Sequence, residues 1–199
     1  FKWIDDFSAA RNYAFSKATK DYIMWLDADD VMLEVDQKQL KELKQTLDSR
    51  PDIVMLKYNV AFDEHGNPTF SYNRERLLKR SVGYKWEGAV HECITPTGNI
   101  EYSPIAITHL KGKKSDPQRN IKIFETLHNK GEDLGPRQQF YFARELYYVG
   151  RYKEAEELFL KFLDEGKGWI ENNISACIDL AHCYNALNME EKGLMTLFR

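Results

Sequence analysis

Asp27-Ala28-Asp29-Asp30 places three carboxylates within four residues, directly after the apolar run Tyr22-Ile-Met-Trp-Leu26. In an extended segment, residues i and i+2 point the same way. Asp27 and Asp29 are therefore expected to converge on one hard cation that takes oxygen ligands, Mg²⁺ or Mn²⁺. Such a cation completes its shell with phosphate oxygens and water. It also neutralises the charge that grows on a diphosphate as it leaves.

Three other readings of these acids compete. Acidic residues after a strand also serve as plain loop or helix N-cap residues. A calcium loop starting at Asp27 fails, because Met32 stands at its glycine position and Lys38 at its bidentate glutamate position. A phosphatase of the haloacid dehalogenase type also uses Asp-X-Asp, followed by a residue such as Val31. That family needs the motif on its first strand, then a later lysine and a later acidic pair after another strand. Here a helix precedes the motif, and no such pair follows Phe62 or Leu110.

The elements that must position the motif can be read from periodicity. Ala9, Ala10, Tyr13, Ala14 and Ala18 fall close to one face, which predicts a helix over 6–18 capped by Asp6 or Ser8. The run 21–27 reads as a buried strand of a mixed or parallel sheet. Leu40, Leu43 and Leu47 mark a second amphipathic helix that ends before Pro51. Strands are expected over 52–62, 70–84, 91–95 and 100–110, with turns at 64–68 and 96–99. Phe1 to Ile4 reads as the end of a strand with no first βαβ unit before it, so the expectation is an N-terminally truncated domain.

Beyond 111–115 the strand signal stops and 3.6-residue periodicity takes over, with Pro117 where the first turn of a helix tolerates it. Ala143, Leu146, Gly150 and Ala155 are matched 38 residues later by Ala181, Tyr184, Asn188 and Gly193. The tetratricopeptide period is 34 residues, so an extra turn or a loop, placed at 166–170, is expected. The segment from Ala143 to Ala155 resembles the tetratricopeptide helix-turn-helix consensus; the second copy lacks the aromatic after the turn. Two repeats leave apolar faces that need cover, so the helices are expected to pack on the preceding domain or to continue past Arg199.

Composition narrows the class. The chain has 199 residues, of which 43% are apolar and 30% charged, and its net charge is −3. Basic residues are spread along it, so no nucleic-acid footprint is expected. No apolar run approaches the length needed to span a bilayer, and no secretory signal pattern opens the chain. Cys93, Cys177 and Cys183 are odd in number and lack metal-like spacing, which fits a reduced, cytoplasmic protein whose cysteines are core residues, peripheral to a membrane at most.

Three blocks together carry a family resemblance: Trp3-Ile-Asp-Asp-Phe-Ser-Ala-Ala-Arg-Asn12, Tyr22-Ile-Met-Trp-Leu-Asp-Ala-Asp-Asp30 and Trp86-Glu-Gly-Ala-Val-His-Glu92. In order and spacing they resemble inverting family-2 glycosyltransferases of the subgroup that carries tetratricopeptide repeats. The resemblance implies an α/β fold, the later half of a nucleotide-diphospho-sugar transferase (GT-A-like) domain over 1–112, followed by an all-α tetratricopeptide-like region over 113–199. It implies a nucleoside diphosphate sugar, UDP-linked, as donor and a saccharide, lipid-linked sugar or protein as acceptor.

The resemblance also assigns roles. It puts Asp27 and Asp29 on the metal and the donor, with Asp30 beside them, and Arg11 on the nucleotide. It gives Glu92 the part of general base, because the family has an acid there facing the donor, and His91 would help to position it. A late histidine approaches the metal or diphosphate in many enzymes of this fold, which is His109 here. Trp86 would offer a flat face to the acceptor sugar. Each assignment has a plainer alternative: a surface salt bridge for Arg11, a strand start paired with an arginine for His91-Glu92, a polar strand end for His109, a core tryptophan for Trp86. For the whole chain the alternative is a tetratricopeptide scaffold with a protein partner and an inert transferase remnant.

Overall fold

The structure is a computed structural model, and it describes residues 1–48, 50–110 and 116–199. The described residues form two compact units. The first gathers residues 8–87 with those from Cys93 to the end of the last strand; the second gathers Lys2–Phe7, Gly88–Glu92 and the C-terminal helices. The change of character expected within 111–115 lies outside the described residues.

The first unit is mixed α/β. Its elements are α1 (Phe7–Ser16), β1 (Tyr22–Met24), β2 (Asp30–Val31), α2 (Glu34–Thr46), β3 (Ile53–Phe62), β4 (Pro68–Lys79) and β5 (Ile100–His109). The sheet order is β1-β4-β3-β5-β2, with β3 and β5 parallel and every other pair antiparallel. Side chains alternate across a strand, and β3 shows why the sheet is covered on both sides. Ile53 and Met55 face Phe15, Trp25, Trp86 and Ile94. Val54, Leu56 and Tyr58 face the other way, onto Leu77, Ile105, Ile107 and the α2 residues Leu40 and Leu43. The leucine spacing read from the sequence thus supplies the face of α2 that meets the sheet.

Three expectations need correction. The strand over 21–27 is only Tyr22–Met24, an edge strand that is half-buried. The arm over 70–84 stops at Lys79 and gives way to a short 3₁₀ turn over Arg80–Val82, closed by Gly83 at φ 78°. No strand runs over 91–95. That segment contributes a single bridge between Glu87 and Cys93, because His91 takes φ 51°, a left-handed conformation that breaks an extended ladder.

The second unit is built on α3 (Arg119–Asn129), α4 (Pro136–Tyr148), α5 (Tyr152–Glu165), α6 (Ile170–Ala186) and α7 (Glu190–Thr196). The 38-residue match is structural. Gly150 (φ 79°) and Asn188 (φ 59°) both end a helix in the left-handed conformation, the usual way to stop one helix and turn into the next. Ala143 and Ala181 are both buried, as are Leu146 and Tyr184. Gly193 replaces Ala155 because a Cβ there would sit 3.2 Å from the Ala181 carbonyl oxygen. α6 has 17 residues against 13 for α4, and it follows a connection where Gly166 takes φ 64°. Cys183 is fully buried in this core, and burial pushes its thiol up to about 12; Cys177 is only half-buried.

Candidate active site

The acidic motif is a turn, not an extended strand end. Asp30 N–H donates to the Asp27 carbonyl (3.0 Å), and Asp27 N–H donates to Asp30 Oδ2 (3.1 Å). The i, i+2 argument for an extended segment therefore does not apply across 27–30. Asp27 Oδ1 accepts from Arg11 Nη2 at 2.6 Å. The Arg11 guanidinium lies over both Trp86 (4.6 Å to the ring centre) and Trp25 (5.1 Å). Both rings belong to the core, with Trp86 3% exposed. That burial leaves Trp86 no open face for a sugar ring, and it packs as a core tryptophan.

Asp30 is the hub of the turn. Its side chain is fully buried and pairs with Arg76, also fully buried, at 2.9 Å. Arg76 donates from the same nitrogen to the Trp25 carbonyl (3.2 Å) and lies 3.7 Å from the Trp25 ring centre and 4.5 Å from that of Tyr58. Tyr58 O–H donates to Asp30 Oδ1 at 2.8 Å. Both Asp30 oxygens are thereby occupied from within the fold, so Asp30 sets the shape of the turn. Burial, then the hydrogen bond to Asp30, raises the Tyr58 pKa well above the ordinary phenol value, so the group remains a proton donor.

His109 reaches the motif through sheet register. β2 and β5 pair antiparallel with Asp30 opposite His109, and Leu110 N–H donates to the Asp29 carbonyl (2.8 Å). His109 Nδ1 lies 3.1 Å from the Tyr58 oxygen, 3.6 Å from Asp30 Oδ1 and 3.8 Å from Asp29 Oδ1. The His109 ring nitrogen and the Tyr58 oxygen are thus within hydrogen-bond distance of each other. Asp29 is 43% exposed. Asp29, Asp30 and His109 offer ligand atoms within 4.8 Å of one another, a group that could hold a metal ion. Two carboxylates and an imidazole suit Mn²⁺ or Mg²⁺ in donor chemistry. Asp27, expected as a ligand, pairs with Arg11 through Oδ1.

The sequence reading passed over Arg76 and Tyr58. One signal was present: three acids in four residues need a buried counter-charge, and Arg76 is a cation beside the apolar pair Leu77-Leu78.

His91 and Glu92 belong to the second unit. His91 Nε2 donates to Glu145 Oε1 at 2.7 Å, and its ring stacks on Tyr141 with centres 4.1 Å apart. The His91 ring thus meets an acid of α4, while its backbone carbonyl accepts from Arg137. Burial of Glu145 would raise its pKa, yet the hydrogen bonds from His91 and Asn120 bring it below the ordinary value. A depressed folded-state pKa contributes stability that is present above the unfolded value of about 4.3 and is lost as pH falls through the folded one. Glu145→Gln should therefore flatten the acid limb of helical unfolding, followed by circular dichroism between about pH 5 and 3. An unchanged acid limb would rule this out.

Residues 3–100 match the profile of the Glycosyl transferase family 2, the segment that holds the acidic turn, Arg11 and Glu92. Two curated relatives are 27% identical over 179 residues, 83% of this chain. They are the SPbeta prophage-derived glycosyltransferase SunS of Bacillus subtilis and the glycosyltransferase SunS of Bacillus phage SPbeta. The chain spans about two fifths of their length, 41%. A TPR repeat-containing protein of Synechococcus elongatus is 36% identical over 93 residues, 46% of this chain and 22% of that protein. The mixed α/β unit followed by helices agrees with a GT-A-like domain and a helical tail. The family match and the SunS relatives support a family-2 glycosyltransferase. Among the described residues, no helix is long and apolar enough to cross a membrane.

Proposed function

We propose that this chain is the catalytic part, over 1–112, of an inverting, metal-assisted glycosyltransferase, joined to tetratricopeptide-like hairpins over 113–199. The observation that carries the reading is the acidic turn, which presents Asp29 beside His109 at the end of β5. The donor is a nucleoside diphosphate sugar, UDP-linked, and the acceptor is a hydroxyl-bearing saccharide, lipid-linked sugar or protein. The helical hairpins offer a surface to a protein partner. Three cysteines, odd in number and without metal-like spacing, suit a reducing compartment, and we place the protein in the cytoplasm.

Asp29 and His109 would hold Mg²⁺ or Mn²⁺, which when bound offsets the charge on the departing diphosphate. Asp27, fixed by Arg11, lines the donor side, with Arg11 toward the nucleotide. The acceptor oxygen attacks the anomeric carbon from the face opposite the diphosphate. A new C–O bond forms as the bond to the diphosphate oxygen breaks, and the acceptor proton passes to Glu92. One base suffices for such a displacement, unlike the carboxylate pair of glycoside hydrolysis.

Calorimetric titration of the full-length protein with UDP-sugars and Mn²⁺ tests the reading, with product stereochemistry read by NMR. Metal-dependent binding and an inverted product are expected. A scaffold would ignore the nucleotide sugar, and a phosphohydrolase would release inorganic phosphate. Glu92→Gln keeps size and hydrogen bonding but removes the basic form. It should lower turnover at least about 10²-fold with donor affinity little changed. Near-normal turnover would move the base to another acid, with Glu87 the next to examine.

A further inference from the structure

The segment that carries Glu92 is held by the helical unit. Val90 is 2% exposed and part of the helical core, with Phe124, Phe140 and Leu146. Gln138 Nε2 on α4 donates to the Val90 carbonyl at 2.9 Å, and Arg137 Nε donates to the His91 carbonyl at 3.3 Å. Gly88, at φ 93°, passes so close to α4 that a Cβ would lie 2.3 Å from Gln138 Nε2. His91 stacks on Tyr141 and donates to Glu145 Oε1, which also accepts from Asn120 Nδ2 at 3.0 Å. Four residues spaced along one face of α4, at 137, 138, 141 and 145, thus hold Gly88, Val90 and His91. At position 91 the grip holds φ 51°, a conformation that a non-glycine residue keeps only when its surroundings enforce it.

We propose that α4 positions the segment that carries the base: within the second unit, Gln138, Tyr141 and Glu145 fix the loop 88–92 on which Glu92 stands. The inference rests on the reading of Glu92 as the base. It assigns to the helical region a part in turnover, beyond any partner it binds. A buried carboxylate that accepts from both His91 and Asn120 is a rigid anchor, because two charge-assisted hydrogen bonds fix its rotamer. A general base gains its effect from standing within hydrogen-bond reach of the proton it takes. Slackening the anchor therefore costs rate at the chemical step while leaving the donor contacts of the acidic turn as they are.

The experiment compares Glu145→Leu, Glu145→Gln and Gln138→Met in the full-length protein. It reads kcat, the affinity for UDP-sugar with Mn²⁺, and hydrogen exchange of the 88–92 segment. Glu145→Leu should lower kcat about tenfold or more, with donor affinity within about twofold, and 88–92 should exchange faster while β3 to β5 stay protected. Glu145→Gln keeps an acceptor for His91 and Asn120 and should restore most of the rate. Gln138→Met should show the same pattern more weakly, and it serves if Glu145→Leu fails to fold. Unchanged kcat in both Glu145→Leu and Gln138→Met, or unchanged exchange of 88–92, overturns the proposal. So does an equal loss for Glu145→Gln and Glu145→Leu, or a fall in donor affinity that matches the fall in kcat. Glu92→Gln run alongside separates the two ideas. If it loses turnover while the α4 variants do not, the base stands and the positioning role falls. If it keeps turnover, the base assignment falls and the catalytic role of α4 with it, and exchange still reports whether α4 holds the loop.

Discussion

Asp29→Ala is expected to abolish sugar transfer in the full-length protein, by about 10³-fold or more, while leaving its unfolding midpoint close to that of the parent. Asp29 is the carboxylate of the turn that is open to solvent and not consumed by the fold: it is 43% exposed, against complete burial for Asp30. Removing an exposed carboxylate costs little stability. Removing a ligand of the ion that faces the diphosphate removes stabilisation where charge develops, which is where catalysis draws most of its rate. The ion itself should bind weakly to the protein alone, because one exposed carboxylate and one imidazole leave most of its shell to water. UDP should tighten Mn²⁺ binding in the parent and do so far less in Asp29→Ala. Calorimetry with and without UDP measures this. Normal turnover with unchanged metal dependence in Asp29→Ala would end the assignment.

Arg76→Met should have the opposite profile, a large loss of stability that begins in the core. The guanidinium and the Asp30 carboxylate are both fully buried and 2.9 Å apart. Taking one charge away leaves the other stranded in a low-dielectric interior, a loss of about 3–5 kcal/mol. The pair itself is not a large net gain, since desolvation offsets its attraction and two Arg76 nitrogens, Nε and Nη2, are buried with no hydrogen-bond partner. The double variant Arg76→Met with Asp30→Asn should therefore recover much of the loss, a coupling that a double-mutant cycle reads directly. Urea unfolding followed by tryptophan fluorescence is a suitable measure, as Trp25 lies against Arg76. A change below about 1 kcal/mol in Arg76→Met would show that Asp30 is held by its other donors alone.

These two variants mark where the site was legible and where it was not. The acid cluster stood out because carboxylates after an apolar run are a strong local pattern, and His109 because it ends a strand near a change of character. The backbone geometry was less legible: extended geometry pairs Asp27 with Asp29, but two hydrogen bonds close 27–30 into a turn. Asp27 then meets Arg11, 16 residues earlier, and Asp30 meets Arg76, 46 residues later. Separations of that kind leave no periodic trace.

By itself the sequence determined the α/β unit and the helices that follow, through the apolar run of β3, leucine spacing in α2 and the 38-residue repeat. Those signals are local, because a side chain's face is set by its offset within its own helix or strand. It also determined which residue types could bind a metal and move a proton. Only the tertiary structure decided which acid stays open and which is buried as a strut, that Trp86 fills the core, and that α4 grips the loop before Glu92. Each of these depends on which distant segment arrives as a partner. A buried charge or a strained loop is tolerated only where that partner supplies the hydrogen bonds that offset its desolvation or fix its backbone.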